Sequence, residues 1–165
     1  MSRRILLMGV SGSGKSTLGG RLAEALAIPF ADADAFHPPA NVAKMARGEA
    51  LTDADRLPWL DALGQWLAAQ PGGGVIGCSA LKRAYRDRLR GHAADLRILY
   101  LAGDPGLIAQ RQAARQNHFM PPSLMASQFA TLEPPSAEEG AIILDITLPP
   151  GLLAAEAIAQ LKETP

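Results

Sequence analysis

Residues 9–16 read Gly-Val-Ser-Gly-Ser-Gly-Lys-Ser, the complete G-x-x-x-x-G-K-[ST] pattern. Residues of these types at this spacing bind phosphate. Gly9, Gly12 and Gly14 let the backbone turn tightly and aim its N–H groups inward. Lys15 can reach β- and γ-phosphates, and the Ser16 hydroxyl can ligate Mg²⁺. Ser11, Ser13 and Thr17 lie in or beside the same loop. The pattern points to a nucleoside triphosphate such as ATP and says nothing about the acceptor. A second set of candidates, Asp32 and Asp34, stands in Phe30-Ala31-Asp32-Ala33-Asp34-Ala35-Phe36-His37. Two residues apart in an extended segment, these carboxylates face one side. One can hold Mg²⁺ while the other orients a substrate hydroxyl and accepts its proton. Helix capping or turn formation by Asp is the competing use. His37 precedes Pro38-Pro39 and reads either as a ligand contact or as a loop or core residue.

Basic residues recur downstream. Lys44 and Arg47 are spaced to share a helix face, and Arg56 follows Thr52-Asp53-Ala54-Asp55, where Thr52 or Asp53 can cap a helix. Lys82, Arg83 and Arg86 follow Cys78-Ser79, with Ser79 a candidate helix start and Cys78 a small packed residue. Such cations could hold an anionic acceptor or simply form solvated helix surfaces; spacing leaves both open. Arg111 and Arg115 are one helical turn apart and precede the irregular segment Asn117-His118-Phe119-Met120-Pro121-Pro122. Arginines beside such a segment suit a lid that neutralises developing charge and excludes water, although an ordinary basic helix would look the same.

The elements that must position these residues follow from hydrophobic patterning. Apolar runs suited to strands occur at Ile5–Met8, Pro29–Ala31, Val75–Cys78, Leu96–Leu101 and Ile142–Ile146. Helical patterns lie between and after them: Lys15–Ala27, Asn41–Arg47, Arg56–Ala69, Lys82–Arg90, Pro105–Gln116, Ser123–Leu132 and Leu152–Lys162. Alternating strands and helices predict an α/β fold, a parallel sheet covered on both faces, with the ligand beyond the carboxyl ends of the strands. At 165 residues the chain is expected to form one domain, residues 1–165. A formal net charge of zero argues against a broad nucleic-acid footprint. The single cysteine excludes an internal disulfide and fits a reducing, cytoplasmic setting. No stretch approaches the roughly 20 apolar residues of a membrane helix.

In these residues and their order, the chain resembles the gluconate kinase (gluconokinase) family. The similarity is carried by GVSGSGKST (9–17), DADAFHPPANVAKMARGEALTDADRLPWL (32–60), CSALKRAYRDRLR (78–90) and RQAARQNHFMPPSLMASQFATLEPP (111–135). The first segment is shared by many kinases; the other three are far more specific. The resemblance implies a P-loop, nucleoside-monophosphate-kinase-like fold with a five-stranded parallel sheet, a lid near residues 115–125 and a homodimer. It implies transfer of the ATP γ-phosphoryl group to the 6-hydroxyl of D-gluconate. By the same resemblance, Gly9–Thr17 would cradle the nucleotide, Ser16 and Asp32 would hold Mg²⁺, and Lys15, Asp32, Asp34, Arg111 and Arg115 would serve catalysis. The acceptor pocket would draw on Asp34, His37, Lys44, Arg56, Lys82, Tyr85 and Arg86, with His118 and Gln128 nearby. Gly77 departs from the bulkier strand residue expected before Cys78.

Overall fold

The computed structural model describes residues 2–114 and 122–163. Five parallel strands, β1 (Arg4–Met8), β2 (Phe30–Asp32), β3 (Gly74–Gly77), β4 (Arg97–Ala102) and β5 (Ile142–Asp145), form one sheet in the order β2-β3-β1-β4-β5. The central strand pairs Leu6 with Ile76 on one side and Ile98 on the other, so β1 is bonded along both edges. The parallel α/β architecture expected from the alternating pattern is the observed one.

Strand periodicity splits the core in two. Ile5 and Leu7 point toward α1 (Lys15–Leu26) and α7 (Pro150–Glu163), where they pack with Leu18, Leu22, Leu153 and Leu161. Leu6 and Met8 point to the opposite face, toward α3 (Asp53–Ala68) and α4 (Arg83–His92), and pack with Leu60, Leu63 and Leu89. A sheet buried on both faces explains why its strands read as continuous apolar runs. The remaining described helices are α2 (Pro39–Ala46), α5 (Pro105–Ala113) and α6 (Pro122–Thr131).

Three local departures from the sequence expectation bear on the site. First, the chain does not stay extended through Asp34. Asp32 ends β2 and caps a 3-10 turn at Ala33–Phe36, its Oδ1 accepting the Asp34 amide at 2.9 Å. Second, α3 begins three residues before Arg56. Thr52 Oγ1 accepts the Asp55 amide, and the Asp55 carboxylate accepts the Thr52 amide at 2.9 Å, a reciprocal capping box. Third, Lys82 rather than Ser79 precedes the first turn of α4. Ala80 in the connecting loop adopts φ 44°, a left-handed conformation that costs a non-glycine residue on the order of 1–2 kcal/mol.

Candidate active site

The phosphate loop links β1 to α1 at the carboxyl edge of the sheet, as the strand–loop–helix reading requires. Gly14 precedes the first turn of α1 at φ 102°, a conformation that glycine adopts without penalty. Gly12 has φ 84°, and a side chain there would start 2.7 Å from Gln112 Oε1. Backbone amides at the start of α1, together with its dipole, therefore face a cavity of about 450 Å³. Ser11, Gly12, Gly14, Lys15, Ser16 and Thr17 line it. Gly9 and Ser13 stand behind that lining: Gly9 O accepts from Lys15 Nζ at 2.9 Å, and Ser13, 1% exposed, donates its amide to Val10 O at 3.2 Å. Lys15 Nζ also reaches Val10 O at 3.1 Å, so the ammonium sits against its own loop.

Asp32 and Asp34 line the same cavity, although a 3-10 turn rather than strand alternation brings them there. Ser16 Oγ lies 3.5 Å from Asp32 Oδ2. Two hard oxygen donors on this wall would suit Mg²⁺, a cation held by one or two protein oxygens together with substrate phosphates. Among the described residues no group of three or more His, Cys, Asp or Glu side chains could hold a metal unaided. Cys78 and Gly77 form the floor. Burial pushes the Cys78 thiol up to about 12, so it is no nucleophile at neutral pH. A side chain on Gly77 would meet Phe30 and Lys15 Cβ at ordinary contact distance, so glycine here leaves the floor open rather than relieving a clash.

Trp59 also lines the cavity, and it contacts the predicted acceptor set. Trp59 donates its indole N–H to Ala33 O at 2.7 Å and stacks on His37, ring centroids 4.4 Å apart and planes 12° from parallel. Burial, reinforced by Arg56 and opposed by Asp34, holds the His37 imidazole below its usual range, so it is neutral at physiological pH. His37 Nδ1 lies 3.3 Å from Asn41 Nδ2, which also donates to Asp55 O at 2.9 Å. Lys44 Nζ pairs with Asp55 at 2.7 Å. Hydrogen bonds from Lys44 and Thr52 hold the Asp55 carboxyl down to about 2. Arg56 Nη1 donates to Tyr85 OH at 3.2 Å, and Lys82 Nζ to Asp53 Oδ1 at 3.0 Å. Arg47, by contrast, pairs with Glu49 on the exposed surface.

Arg86 is not part of this set, which corrects the sequence expectation. It is 0% exposed, and all five of its N–H groups have acceptors. Nε and Nη2 grip the Glu139 carboxylate at 2.7 and 3.1 Å. Nη1 reaches Ala80 O and Leu81 O, and Nη2 also reaches Glu133 O at 2.9 Å. The guanidinium fastens the β3–α4 loop to the segment that follows α6 and has no donor left for a substrate.

On the nucleotide side, Arg111 lines the cavity and donates to Ile146 O at 2.6 Å, beyond the end of β5. Gln128 on α6 accepts the Ser11 amide at 2.7 Å through Oε1, which places it on the phosphate loop rather than among the acceptor residues. Arg115 and His118 lie outside the described residues. Four contributors were not singled out from the sequence. Trp59 was noted only as part of a segment. Gln112, whose Nε2 donates to Ser11 Oγ at 3.3 Å, follows Arg111 directly. Asp53 reads in the sequence as a helix cap and Asp55 as one residue of the same segment, although both stand among Lys44, Arg56 and Lys82 in a cluster of opposite charges.

Known proteins resemble this chain in sequence and in fold. Residues 5–135 match the AAA domain family. The gluconokinase of Gluconobacter oxydans is 48% identical over 85% of this chain and 80% of its own length. The crystal structure of a gluconokinase from Sinorhizobium meliloti superposes with a TM-score of 0.88 at 46% identity, covering 97% of this chain and 91% of that one. An APS kinase from Mycobacterium tuberculosis superposes with a TM-score of 0.71 at 18% identity, covering 98% of each chain, a likeness of fold alone.

Proposed function

The chain belongs to the gluconokinase family of P-loop kinases, and from that premise we propose that it transfers the γ-phosphoryl group of ATP to the 6-hydroxyl of D-gluconate, giving 6-phospho-D-gluconate and ADP. One observation carries the reading: the phosphate loop and the Asp32–Asp34 pair share a single cavity, and Trp59 in its lining stacks on His37, one of the residues expected to hold the acceptor. A polyanion fits one end and a polyol carboxylate the other.

In this account the loop amides and Lys15 hold the β- and γ-phosphates. Ser16 and Asp32 hold Mg²⁺, which offsets charge on the phosphate oxygens when bound. Asp34 orients the acceptor hydroxyl and takes up its proton as the bond to phosphorus forms. Its reach matters more than its basicity if the transition state is loose. Neutral His37, fixed by stacking on Trp59, offers a hydrogen bond to a substrate hydroxyl. Lys44, Arg56, Lys82 and the Tyr85 hydroxyl face the carboxylate and remaining hydroxyls. Arg111, with Arg115 and His118 in a lid spanning residues 115–125, covers the nucleotide, and Gln128 ties α6 to the phosphate loop. Arg111 is one helical turn from Arg115 in sequence and already lines the cavity, which supports that role.

We infer further that residues 1–165 act as one kinase domain, that the protein works in the cytoplasm, where its lone buried thiol stays reduced, and that it forms a homodimer. Among the described residues no helix is long and apolar enough to cross a membrane. Light scattering is expected to give twice the monomer mass. An ADP-release assay across gluconate, shikimate and adenylylsulfate tests the activity. Turnover is expected with gluconate, and turnover with another acceptor but not gluconate refutes the assignment.

A further inference from the structure

Asp53 lies outside the cavity lining and outside the residues expected to hold the acceptor, yet three of those residues converge on it. Lys82 Nζ reaches both of its carboxylate oxygens, at 3.0 and 3.2 Å. The Tyr85 hydroxyl donates to Asp53 Oδ1 and at the same time accepts from Arg56 Nη1 at 3.2 Å. Arg56 itself comes within 3.9 Å of Asp53 Oδ1. Both cations also approach the Tyr85 ring, each 5.7 Å from its centroid, so one aromatic ring serves a guanidinium and an ammonium together.

This is more order than an isolated surface ion pair possesses. Such a pair contributes little because two long side chains must be immobilised in high dielectric. Here one short carboxylate, fixed at the first residue of α3, holds two long cations, Arg56 one turn along the same helix and Lys82 at the residue that precedes α4. Arg56 and Lys82 repel each other, and Asp53 and the Tyr85 hydroxyl are what lie between them. Two cations and one carboxylate leave one net positive charge, the complement of a single substrate carboxylate. The neighbouring Lys44–Asp55 pair is internally neutral and does not alter that balance.

We propose that Asp53 is a positioning residue for acceptor recognition: it holds Lys82, Tyr85 and Arg56 as a pre-assembled cradle of one net positive charge for a monoanionic sugar acid. The inference rests on the reading that gluconate is bound through these cations. Its physical content is pre-organisation. Without the carboxylate, the two side chains repel, regain rotamer freedom and must be ordered again by the substrate.

The test is steady-state kinetics of D53N and Y85F, with ATP and gluconate each varied, and thermal melts to confirm folding. For D53N the gluconate KM is expected to rise about tenfold, with kcat within about twofold of wild type and the ATP KM unmoved, as for the loss of pre-organised binding alone. Y85F, which removes the bridging hydroxyl, is expected to raise the gluconate KM about threefold, and the double variant to resemble D53N rather than the product of the two effects. A folded D53N whose gluconate KM is unchanged or lowered, or independent effects in the double variant, overturns the role of Asp53. Wild-type protein that fails to turn over gluconate overturns the functional reading itself, a separate result seen before any variant is made.

Discussion

The two ends of the candidate site are built by opposite means. The phosphate end is mostly backbone: a loop with positive-φ glycines, springing from a strand buried from Ile5 to Met8 and closing on the first turn of α1. The acceptor end is mostly side chain: long cations on α2, on α3 and at the residue before α4, each held by a carboxylate from α3. Backbone cradles recognise what all nucleoside triphosphates share, and they tolerate little change. Networks of long side chains recognise one acceptor and can be retuned residue by residue. The reaction class therefore resides at one end and the choice of substrate at the other.

Substitutions can break or sharpen that contrast. The largest effect is expected at the phosphate end. Lys15→Ala should lower kcat by about 10³-fold or more, the scale of removing a charge-stabilising group from a transition state, and near-normal turnover in the ADP-release assay would place charge stabilisation elsewhere. Next is Arg86, which belongs to neither end. Arg86→Ala leaves Glu139 buried without its partner and should cost about 3–5 kcal/mol of stability in denaturant unfolding; a small loss would mean that Glu139 finds another donor. Asp34 tests the boundary between the ends. Asp34→Asn should lower kcat by about 10²-fold, whereas a risen gluconate KM with kcat intact would move Asp34 wholly to the acceptor side.

The smallest effect is in pH. Burial lowers the His37 pKa, so between that lowered value and the ordinary 6.5 the unfolded chain binds more protons than the folded one. Stability contributed by His37 is therefore complete above pH 6.5 and is lost as pH falls toward the folded pKa. His37→Gln should flatten this slope in thermal melts between pH 7 and 5; an unchanged slope would assign it to other groups.

Much of this was legible in the sequence because period and loop chemistry are local. The run Ile5–Met8, the glycine loop and the leucines of α1 announce strand, turn and helix in order, and strand ends predict where a ligand sits. The 3-10 turn after Asp32 was missed because Asp-Ala-Asp-Ala alternates as a strand would, while a single side-chain-to-amide bond is enough to turn the chain. Arg86 was misplaced for a tertiary reason. Lys82, Arg83 and Arg86 look alike in sequence, and only the packing of Glu139, 53 residues away, takes one of them out of reach. Asp53 reads as a helix-start residue, and both it and Asp55 lie in the first turn of α3. Their second service, to cations on neighbouring helices, has no local signature.

The central claim, that one end of this cavity activates ATP while the other presents the 6-hydroxyl of gluconate, is tested most directly by the product. Proton-coupled phosphorus NMR of a reaction containing the protein, ATP, Mg²⁺ and D-gluconate should show one new monoester resonance split into a triplet by the two protons on C6. A doublet, which marks a secondary hydroxyl, or ADP release with no sugar monoester at all, would contradict it.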